Sequence, residues 1–282
     1  MSGLLAWARS RLAGLEASNA ANEARELLEW ACDAASTWQI REPVDEDARR
    51  RFIDAVLARE AHTPLHILTS RMYFRTLTLH ARRGVFACRP ETEVVAGIAI
   101  EEALRLSRTG GRPRVVDLCT GSGAIACAIA VEVPESIVDA VEIDESAVAL
   151  AELNARTLTL GNMRVVHADA TARDTLFDLD ARVDIVVSNP PYIPQSEAPT
   201  QVEAMKDPAR ALYGGGVDGM DIPRRIIERA CRLLRRGGLL VVEHSPSQSA
   251  LMREAAADAG FVEVSTGADL AGYDRMLLAR TP

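Results

Sequence analysis

Four residues with complementary chemistry stand where an apolar run ends: Asn189-Pro190-Pro191-Tyr192 directly follows residues 183–188. An asparagine side chain carries both a carbonyl acceptor and an amide donor. The prolines lack N–H groups, so their carbonyl oxygens stay free to accept from a ligand. The tyrosine adds a flat face with a polar tip. The combination predicts a site for a planar –NH2 group, an amide or an exocyclic amine, although an ordinary strand-ending turn has the same composition.

A second motif predicts a tight turn between a buried strand and a helix. Residues 114–118 are largely apolar, and glycines follow at positions 121 and 123. Glycine permits positive φ and a close backbone approach to a ligand. Position 126 is alanine, so the G-x-G-x-x-G pattern of dinucleotide sites is not met. An acidic residue just before the turn suits the amino group of S-adenosylmethionine better than a phosphate. We expect cofactor contacts from Asp117, Cys119, Thr120, Gly121, Ser122 and Gly123.

Acidic residues after the next two predicted strands extend this pocket. Glu142 ends an apolar strand about 20 residues after the glycine turn, the spacing at which a carboxylate accepts from ribose hydroxyls. Asp144 suits a solvated helix N-terminus instead. Asp169 lies in the strand and turn predicted at 163–170, where it can accept from the adenine amino group with Ala170 beside the ring.

The composition indicates a folded, acidic protein of one or two domains. The chain has 282 residues, 48% of them hydrophobic, and a net charge of −8. An acidic chain does not favour nonspecific nucleic-acid binding, and the scattered histidines give no reason to expect a metal site. Five cysteines without a Cys-x-x-Cys pair favour a reducing compartment. With no signal peptide visible and no apolar run of about 18 residues, we expect a cytoplasmic protein without a membrane span.

Periodicity divides the chain into a helical part, a hairpin and an alternating part. Apolar residues recur at helical intervals in residues 1–62. Residues 63–88 change to strand character and predict a β-hairpin linker. From 89 to 282, predicted strands and helices alternate, which implies a largely parallel sheet with helices on both faces. The last two strands, near 261–266 and 275–279, are expected to form a closing hairpin.

These motifs resemble those of the release-factor glutamine N5-methyltransferases (HemK/PrmC type), which are class I S-adenosylmethionine-dependent methyltransferases. The resemblance covers roughly residues 60–280, and its most specific stretches are residues 89–93 and the glycine loop at 214–219. It implies an α/β fold with a Rossmann-like, mostly parallel seven-stranded sheet, a small N-terminal helical domain and a β-hairpin linker. Where the family usually has a proline and two glycines, this chain has Cys88, Ser70 and Ser245.

The resemblance also implies a reaction: a methyl group passes from S-adenosylmethionine, which becomes S-adenosylhomocysteine, to the side-chain amide nitrogen of a glutamine. In that family the glutamine lies in the Gly-Gly-Gln motif of class I peptide chain release factors, so the reaction modulates translation termination. The implied catalytic residues are Asn189, Pro190 and Tyr192. Pro191 joins them in binding substrate, and Asn189 also contacts the cofactor. The helical domain at 1–62 is then the expected partner-binding domain.

Two other functions are compatible with parts of the pattern. The same tetrapeptide handles exocyclic amines of flipped nucleic-acid bases, but the chain has no basic stripe and no large target-recognition insert after Tyr192. No direct nucleic-acid substrate is therefore expected. A non-catalytic cofactor-binding protein is the other alternative, and the intact Asn189 and glycine turn speak against it.

Overall fold

The computed structural model of the chain describes residues 1–15, 19–197 and 206–282. Within these ranges the chain forms two compact units. One consists mainly of the first 72 residues, and the other contains residues 73–80 and most of the chain from residue 84 onward. The domain boundaries predicted at residues 62 and 88 stay predictions.

The first unit is a group of helices around one apolar core. Asn19 and Asp45 cap the second and third helices, because each side chain accepts a hydrogen bond from a backbone N–H in the first turn. Leu12, Leu27 and Phe52 are fully buried between the helices. The helices are α1 (Ser2–Leu12), α2 (Ala20–Ala31), α3 (Glu46–Glu60) and α4 (Leu65–Thr69).

Helix α4 corrects the strand character predicted for the start of the linker. Pro64 precedes its first residue, and the Thr69 hydroxyl donates to the Leu65 carbonyl at 3.1 Å, which closes the single turn. Ser70 ends the helix with a φ of +54°. This left-handed conformation favours glycine, the residue that the family usually has there.

The predicted hairpin follows and is confirmed. Strands β1 (Arg71–Phe74) and β2 (Leu77–His80) form a two-stranded sheet whose side chains are alternately buried and exposed. Alternation of this kind is what a ribbon with one packed face requires.

The second unit is built on the predicted seven-stranded, mostly parallel sheet. The strands are β3 (Arg114–Leu118), β4 (Ile137–Glu142), β5 (Met163–His167), β6 (Val183–Ser188), β7 (Leu234–Glu243), β8 (Val262–Ala268) and β9 (Asp274–Arg280). Their order in the sheet is β5-β4-β3-β6-β7-β9-β8, and only the pairs β7–β9 and β8–β9 are antiparallel. The closing hairpin is therefore confirmed as well.

Helices cover this sheet, which explains why its central strands are continuous apolar runs rather than alternating ones. The helix Ala124–Glu132 is an example, since every residue from Ala124 to Ala130 is buried. Within the described ranges, no helix combines the length and the apolar character needed to cross a membrane. The helices of this unit are α5 (Pro90–Ser107), α6 (Ala124–Glu132), α7 (Glu145–Thr157), α8 (Ala209–Leu212), α9 (Asp221–Leu233) and α10 (Ser249–Asp258).

One buried side chain joins β2 to the glycine turn. Asn154, on α7, is 1% exposed. Its Oδ1 accepts from the His80 backbone N–H at 2.7 Å, and its Nδ2 donates to the Ser122 carbonyl at 2.9 Å. Two elements distant in sequence are thus held together by one amide.

Candidate active site

The carboxyl ends of four parallel strands meet at one edge of the sheet. The chain runs from β3 outward through β4 and β5 and then returns to β6 on the other side of β3. In open α/β sheets, ligands bind at such a switch point, outside the carboxyl ends of the strands. The predicted site residues follow β3, β4, β5 and β6, so the topology brings their backbones to this edge.

The glycine turn connects β3 to α6 as expected. Gly121 has a φ of +57°, and a Cβ added there would meet open space. Gly123 has a φ of +81°, and its Cβ would lie 3.1 Å from the Cβ of Ala151 on α7. The first glycine therefore leaves room for a ligand, whereas the second permits close packing of the turn on α7.

Asp117 lies beneath this turn rather than in open space. Its side chain is fully buried, and its Oδ2 accepts from the Thr120 hydroxyl at 2.5 Å. Burial raises the pKa of Asp117 to about 7, against the effect of the Thr120 hydrogen bond. Ser122 is also buried. Within the described residues, these side chains shape the turn and do not line the pocket that it borders.

Glu142 is held in place by backbone amides. Its Oε2 accepts from the Gly121 N–H at 2.8 Å, and its Oε1 accepts from the N–H groups of Ile143 and Asp144 at 2.9 Å each. A carboxylate can accept about four hydrogen bonds, so capacity remains for a ligand hydroxyl. Asp144 caps α7 by accepting from two backbone N–H groups, which confirms its predicted role at a helix N-terminus.

A largely apolar pocket opens between these elements. Five of the predicted site residues line it: Cys119, Gly121, Glu142, Asn189 and Pro191. The segment Gly84–Phe86 also lines the pocket, although the sequence analysis assigned it only to the linker. The sequence feature that could have indicated this segment is a lone aromatic residue, Phe86, shortly before the Arg89–Glu93 stretch. In the structure the Cζ of Arg89 lies 5.4 Å from the centre of the Phe86 ring.

Asp169 and Ala170 lie after β5, outside the residues that line this pocket. Asp169 is exposed, and its Oδ1 accepts from the backbone N–H and the hydroxyl of Thr171. Ala170 is buried in the apolar core of the sheet. Their contacts with adenine stay a prediction.

Asn189 has a fixed orientation. The Ser188 hydroxyl donates to the Leu118 carbonyl at 2.6 Å, which ties the end of β6 to the end of β3. The Asn189 Nδ2 donates to the Thr92 hydroxyl at 3.2 Å, and Thr92 is fully buried in the first turn of α5. The Oδ1 of Asn189 is left to accept from a ligand. Among the described residues, none donates to the Pro190 carbonyl either.

Tyr192 is paired with a buried acid that the sequence analysis did not assign to the site. Its hydroxyl donates to Glu243 Oε1 at 3.2 Å, at the end of β7. Burial raises the pKa of Glu243 to about 7, against the effects of the Thr92 and Tyr192 hydroxyls. Burial also raises the pKa of Tyr192, so its hydroxyl remains a donor. The apolar run that ends in Glu243 was the available signal, because an acid there falls at the same edge of the sheet.

The glycine loop at 214–219 packs directly against the backbone of Tyr192. A Cβ on Gly219 would lie 2.2 Å from the Tyr192 carbonyl oxygen, and one on Gly214 would lie 2.8 Å from the Tyr192 Cα. The Gln248 Nε2 donates to the carbonyls of Tyr192 and Asp218, at 2.7 and 2.8 Å. The backbone of the tetrapeptide is therefore held by the Gln248 hydrogen bond and by close contacts that only glycine permits at positions 214 and 219.

No group of three or more His, Cys, Asp or Glu side chains in the described part of the chain is arranged to hold a metal ion. The polar groups at this edge are instead acceptors: the Asn189 and Glu142 side-chain oxygens and the Pro190 carbonyl. Such a set binds N–H and O–H groups.

Comparisons with known proteins identify the family. The methyltransferase small domain model matches residues 76–267, and the PrmC N-terminal domain model matches residues 3–69. A release factor glutamine methyltransferase from Bifidobacterium longum is 45% identical over 241 residues, which are 82% of this chain and 79% of that protein. Its counterpart from Streptomyces coelicolor is 42% identical over 251 residues, 86% of this chain and 84% of that protein.

A solved structure supports the fold alone. A 16S rRNA methyltransferase from Thermus thermophilus, in complex with AdoMet and guanosine, aligns with a TM-score of 0.52 at 23% identity. The alignment covers 75% of this chain and 50% of that one. The family itself rests on the two domain matches and the curated relatives. This chain belongs to the family of release factor glutamine methyltransferases.

Proposed function

We propose that this enzyme transfers a methyl group from S-adenosylmethionine to the side-chain amide nitrogen of the glutamine in the Gly-Gly-Gln motif of class I peptide chain release factors, and thereby modulates translation termination. The relatives from Bifidobacterium longum and Streptomyces coelicolor are named release factor glutamine methyltransferases, and that name supports a release factor glutamine as the methyl acceptor. The observation that carries the proposal is the orientation of Asn189. Its amide NH2 donates to Thr92, and no described residue donates to its oxygen or to the carbonyl of the next residue, Pro190.

The pocket fits the cofactor. Glu142 has remaining acceptor capacity for the ribose hydroxyls, Gly121 leaves open space, and the Phe86 ring and Pro191 supply apolar surface. Cys119 and Asn189 complete the contacts, while Asp117, Thr120, Ser122 and Gly123 hold the turn in shape. S-adenosylmethionine, when bound, supplies an electrophilic sulfonium methyl group and is left as S-adenosylhomocysteine.

An amide nitrogen is a poor nucleophile, because its lone pair is delocalised into the carbonyl group. In our proposal, two acceptors assist this weak nucleophile: Asn189 Oδ1 and the Pro190 carbonyl each accept one N–H of the glutamine amide. They fix the nitrogen with its π face towards the sulfonium methyl group and stabilise the positive charge that grows on the nitrogen. Alignment of the two reactants lowers the barrier further. Tyr192 packs against the planar amide and excludes water, and the amide proton leaves after methylation, so no strong base is needed.

The partner and the location follow from the same proposal. We assign binding of the release factor to the helical unit, whose residues 3–69 match the PrmC N-terminal domain model. We place the enzyme in the cytoplasm, where translation terminates, and we assign it no direct nucleic-acid substrate.

Mass spectrometry of a purified class I release factor, after incubation with the protein and S-adenosylmethionine, tests the proposal. One added methyl group on the Gly-Gly-Gln glutamine is expected. Asn189→Ala should abolish turnover but still bind S-adenosylhomocysteine. Asn162→Ala is the matched control. Asn162 lies just before β5, at the amino ends of the strands and away from the site, and its Nδ2 donates to the Ala130 carbonyl. This variant should keep wild-type turnover. Unmodified release factor, or methylation of DNA or RNA instead, would overturn the proposal.

A further inference from the structure

Two loops near the tetrapeptide present apolar side chains to solvent. Val217 lies in the glycine loop at 214–219, and Leu270 and Tyr273 lie in the loop that joins β8 to β9. Val217 and Leu270 are each 94% exposed, more than any other large apolar side chain that the structure describes, and Tyr273 is 61% exposed. Scattered apolar side chains are normal on a protein surface, whereas a group of them marks a binding site. These three form a group because their loops are neighbours.

One short buried segment joins both loops to the tetrapeptide. The Gln248 Nε2 donates to the Asp218 carbonyl in the glycine loop at 2.8 Å and to the Tyr192 carbonyl at 2.7 Å. The next residue, Ser249, donates from its hydroxyl to Asp274 Oδ2 at 2.9 Å, where the β8–β9 loop enters β9. Gln248 and Ser249 are both buried. The two loops therefore have a fixed position beside the tetrapeptide.

The register of the sheet gives the same placement. Strand β9 is antiparallel to β7, with Met276 opposite Glu243, and the His244 N–H donates to the Arg275 carbonyl at 2.9 Å. The Tyr192 hydroxyl donates to Glu243 Oε1 at 3.2 Å. The loop before β9 thus lies at the end of β7 that carries the partner of Tyr192.

Both loops are held in shape by their own hydrogen bonds. The Asp269 N–H donates to the Tyr273 carbonyl at 2.9 Å, and Asp269 Oδ1 accepts from the N–H groups of Ala271 and Tyr273 at 2.9 and 3.0 Å. In the glycine loop, Asp218 Oδ1 accepts from the Met220 N–H at 3.0 Å. A preorganised loop loses little conformational entropy when a partner binds. The exposed apolar side chains on these loops are therefore well suited to contact another molecule.

The chemistry of the proposed substrate requires contacts of this kind. A glutamine amide occurs in most proteins, and the two glycines of the Gly-Gly-Gln motif have no side chains. The tetrapeptide alone therefore has little with which to distinguish a release factor from other proteins. Selectivity is a difference between affinities, so it must come from substrate residues outside the tripeptide. Exposed apolar side chains gain affinity when they are buried against apolar residues of a partner.

We infer that Val217, Leu270 and Tyr273 form a docking surface for the release-factor residues that flank the substrate glutamine, and that this surface selects the protein substrate without taking part in methyl transfer. The inference rests on the proposed function, because it names the part of the release factor that these two loops contact. The surface borders the tetrapeptide that binds the glutamine. A chain whose glutamine is bound there lies against these loops, which favours the release factor over a second copy of the enzyme as the occupant.

Steady-state methylation over a range of release-factor concentrations tests the inference. Leu270→Ser and Tyr273→Ser should each raise the KM for the release factor about 10-fold, the effect of truncating a buried anchor at an interface. The kcat and the calorimetric affinity for S-adenosylhomocysteine should not change. Calorimetric titration of the release factor into enzyme that is saturated with S-adenosylhomocysteine should show the same rise in Kd. That titration is needed because KM equals Kd only when chemistry is slow.

A second exposed valine provides the matched control. Val262 is 43% exposed and pairs with Arg280, at the end of β8 that lies away from the β8–β9 loop. Val217→Ser should raise the KM for the release factor about 5-fold. Val262→Ser makes the same chemical change on the same sheet and should leave KM at the wild-type value.

Substitutions on both proteins identify the occupant. Serine in place of the apolar release-factor residues nearest the tripeptide should raise the KM of the wild-type enzyme. The same release-factor variant should cause little further loss with the Leu270→Ser/Tyr273→Ser enzyme, because both changes remove one contact. Additive losses would overturn the inference, as would a wild-type KM for the Leu270→Ser/Tyr273→Ser enzyme.

The other outcomes are also decisive. A lower kcat at constant KM would contradict the inference, because the loops would then act on the tetrapeptide and not on the docking of the substrate. A changed oligomeric state of the enzyme with an unchanged KM would assign these side chains to a contact between two copies, which also contradicts it. A wild-type enzyme that does not methylate the release factor would instead contradict the proposed function. The two failures are thus distinguishable.

Discussion

Replacing Gly219 with alanine is expected to lower kcat about 100-fold, because the new methyl group has no space. The added Cβ would lie 2.2 Å from the Tyr192 carbonyl oxygen, and real Cβ contacts are essentially never under 3.0 Å. The obstacle is backbone on both sides, so no flexible side chain can move aside. Relief requires the Tyr192 carbonyl to shift by about 1 Å, a displacement that can cost about a factor of 100 in rate when it reaches the reacting groups.

Gly237 provides a matched control. Its φ is +71°, against +72° for Gly219, but nothing lies within 4 Å of a Cβ added to it. Alanine at either position carries the backbone penalty of the left-handed region, about 1–2 kcal/mol. Only Gly219→Ala carries the contact with Tyr192 in addition. The difference between the two variants therefore isolates the effect of displacing the tetrapeptide.

The assay is methylation of a release factor at saturating S-adenosylmethionine, with thermal unfolding and S-adenosylhomocysteine binding measured in parallel. Gly237→Ala should lose stability and keep its kcat. Gly219→Ala should lose more stability, keep cofactor affinity and lose turnover. Equal kcat values for the two variants would refute the reasoning, because they would show that the glycine loop does not position Tyr192.

Three further predictions concern buried polar groups. Glu142→Gln should weaken S-adenosylhomocysteine binding by about 1.5–3 kcal/mol, since one oxygen that accepts backbone N–H groups becomes a donor; unchanged calorimetric affinity would contradict this. Asn154→Leu should lower the free energy of unfolding in urea by about 2–4 kcal/mol, because His80 N–H and the Ser122 carbonyl lose their partner, and a loss below about 1 kcal/mol would count against that role. The pKa of Glu243 is raised from 4.5 to about 7 on folding, so the folded wild type binds the extra proton and loses stability as pH rises through that window. Glu243→Gln lacks this titration, so its melting temperature relative to wild type should increase between pH 5 and pH 8; a constant difference would show that Glu243 titrates normally.

The sequence was informative wherever a physical pattern is local. Apolar runs that are too short for helices and are bounded by glycine or acidic residues predicted the parallel strands, and glycines after β3 predicted the turn into α6. The short helix α4 was missed because five residues carry too little periodicity to be distinguished from a strand. Pro64 and the left-handed Ser70 define that helix, and neither has a periodic signal.

From the sequence by itself, the resemblance of specific motifs indicated the family. Periodicity and turn chemistry, which are properties of neighbouring residues, predicted the parallel sheet and the residues that follow each strand. Only the tertiary structure decided how these residues combine. It buried Asp117 beneath the turn, turned the Asn189 oxygen outward by binding its NH2 to Thr92, and brought Glu243 to Tyr192 across 51 positions of sequence. Hydrogen bonds between residues so far apart depend on the packing of whole strands and helices, and no local pattern encodes that packing.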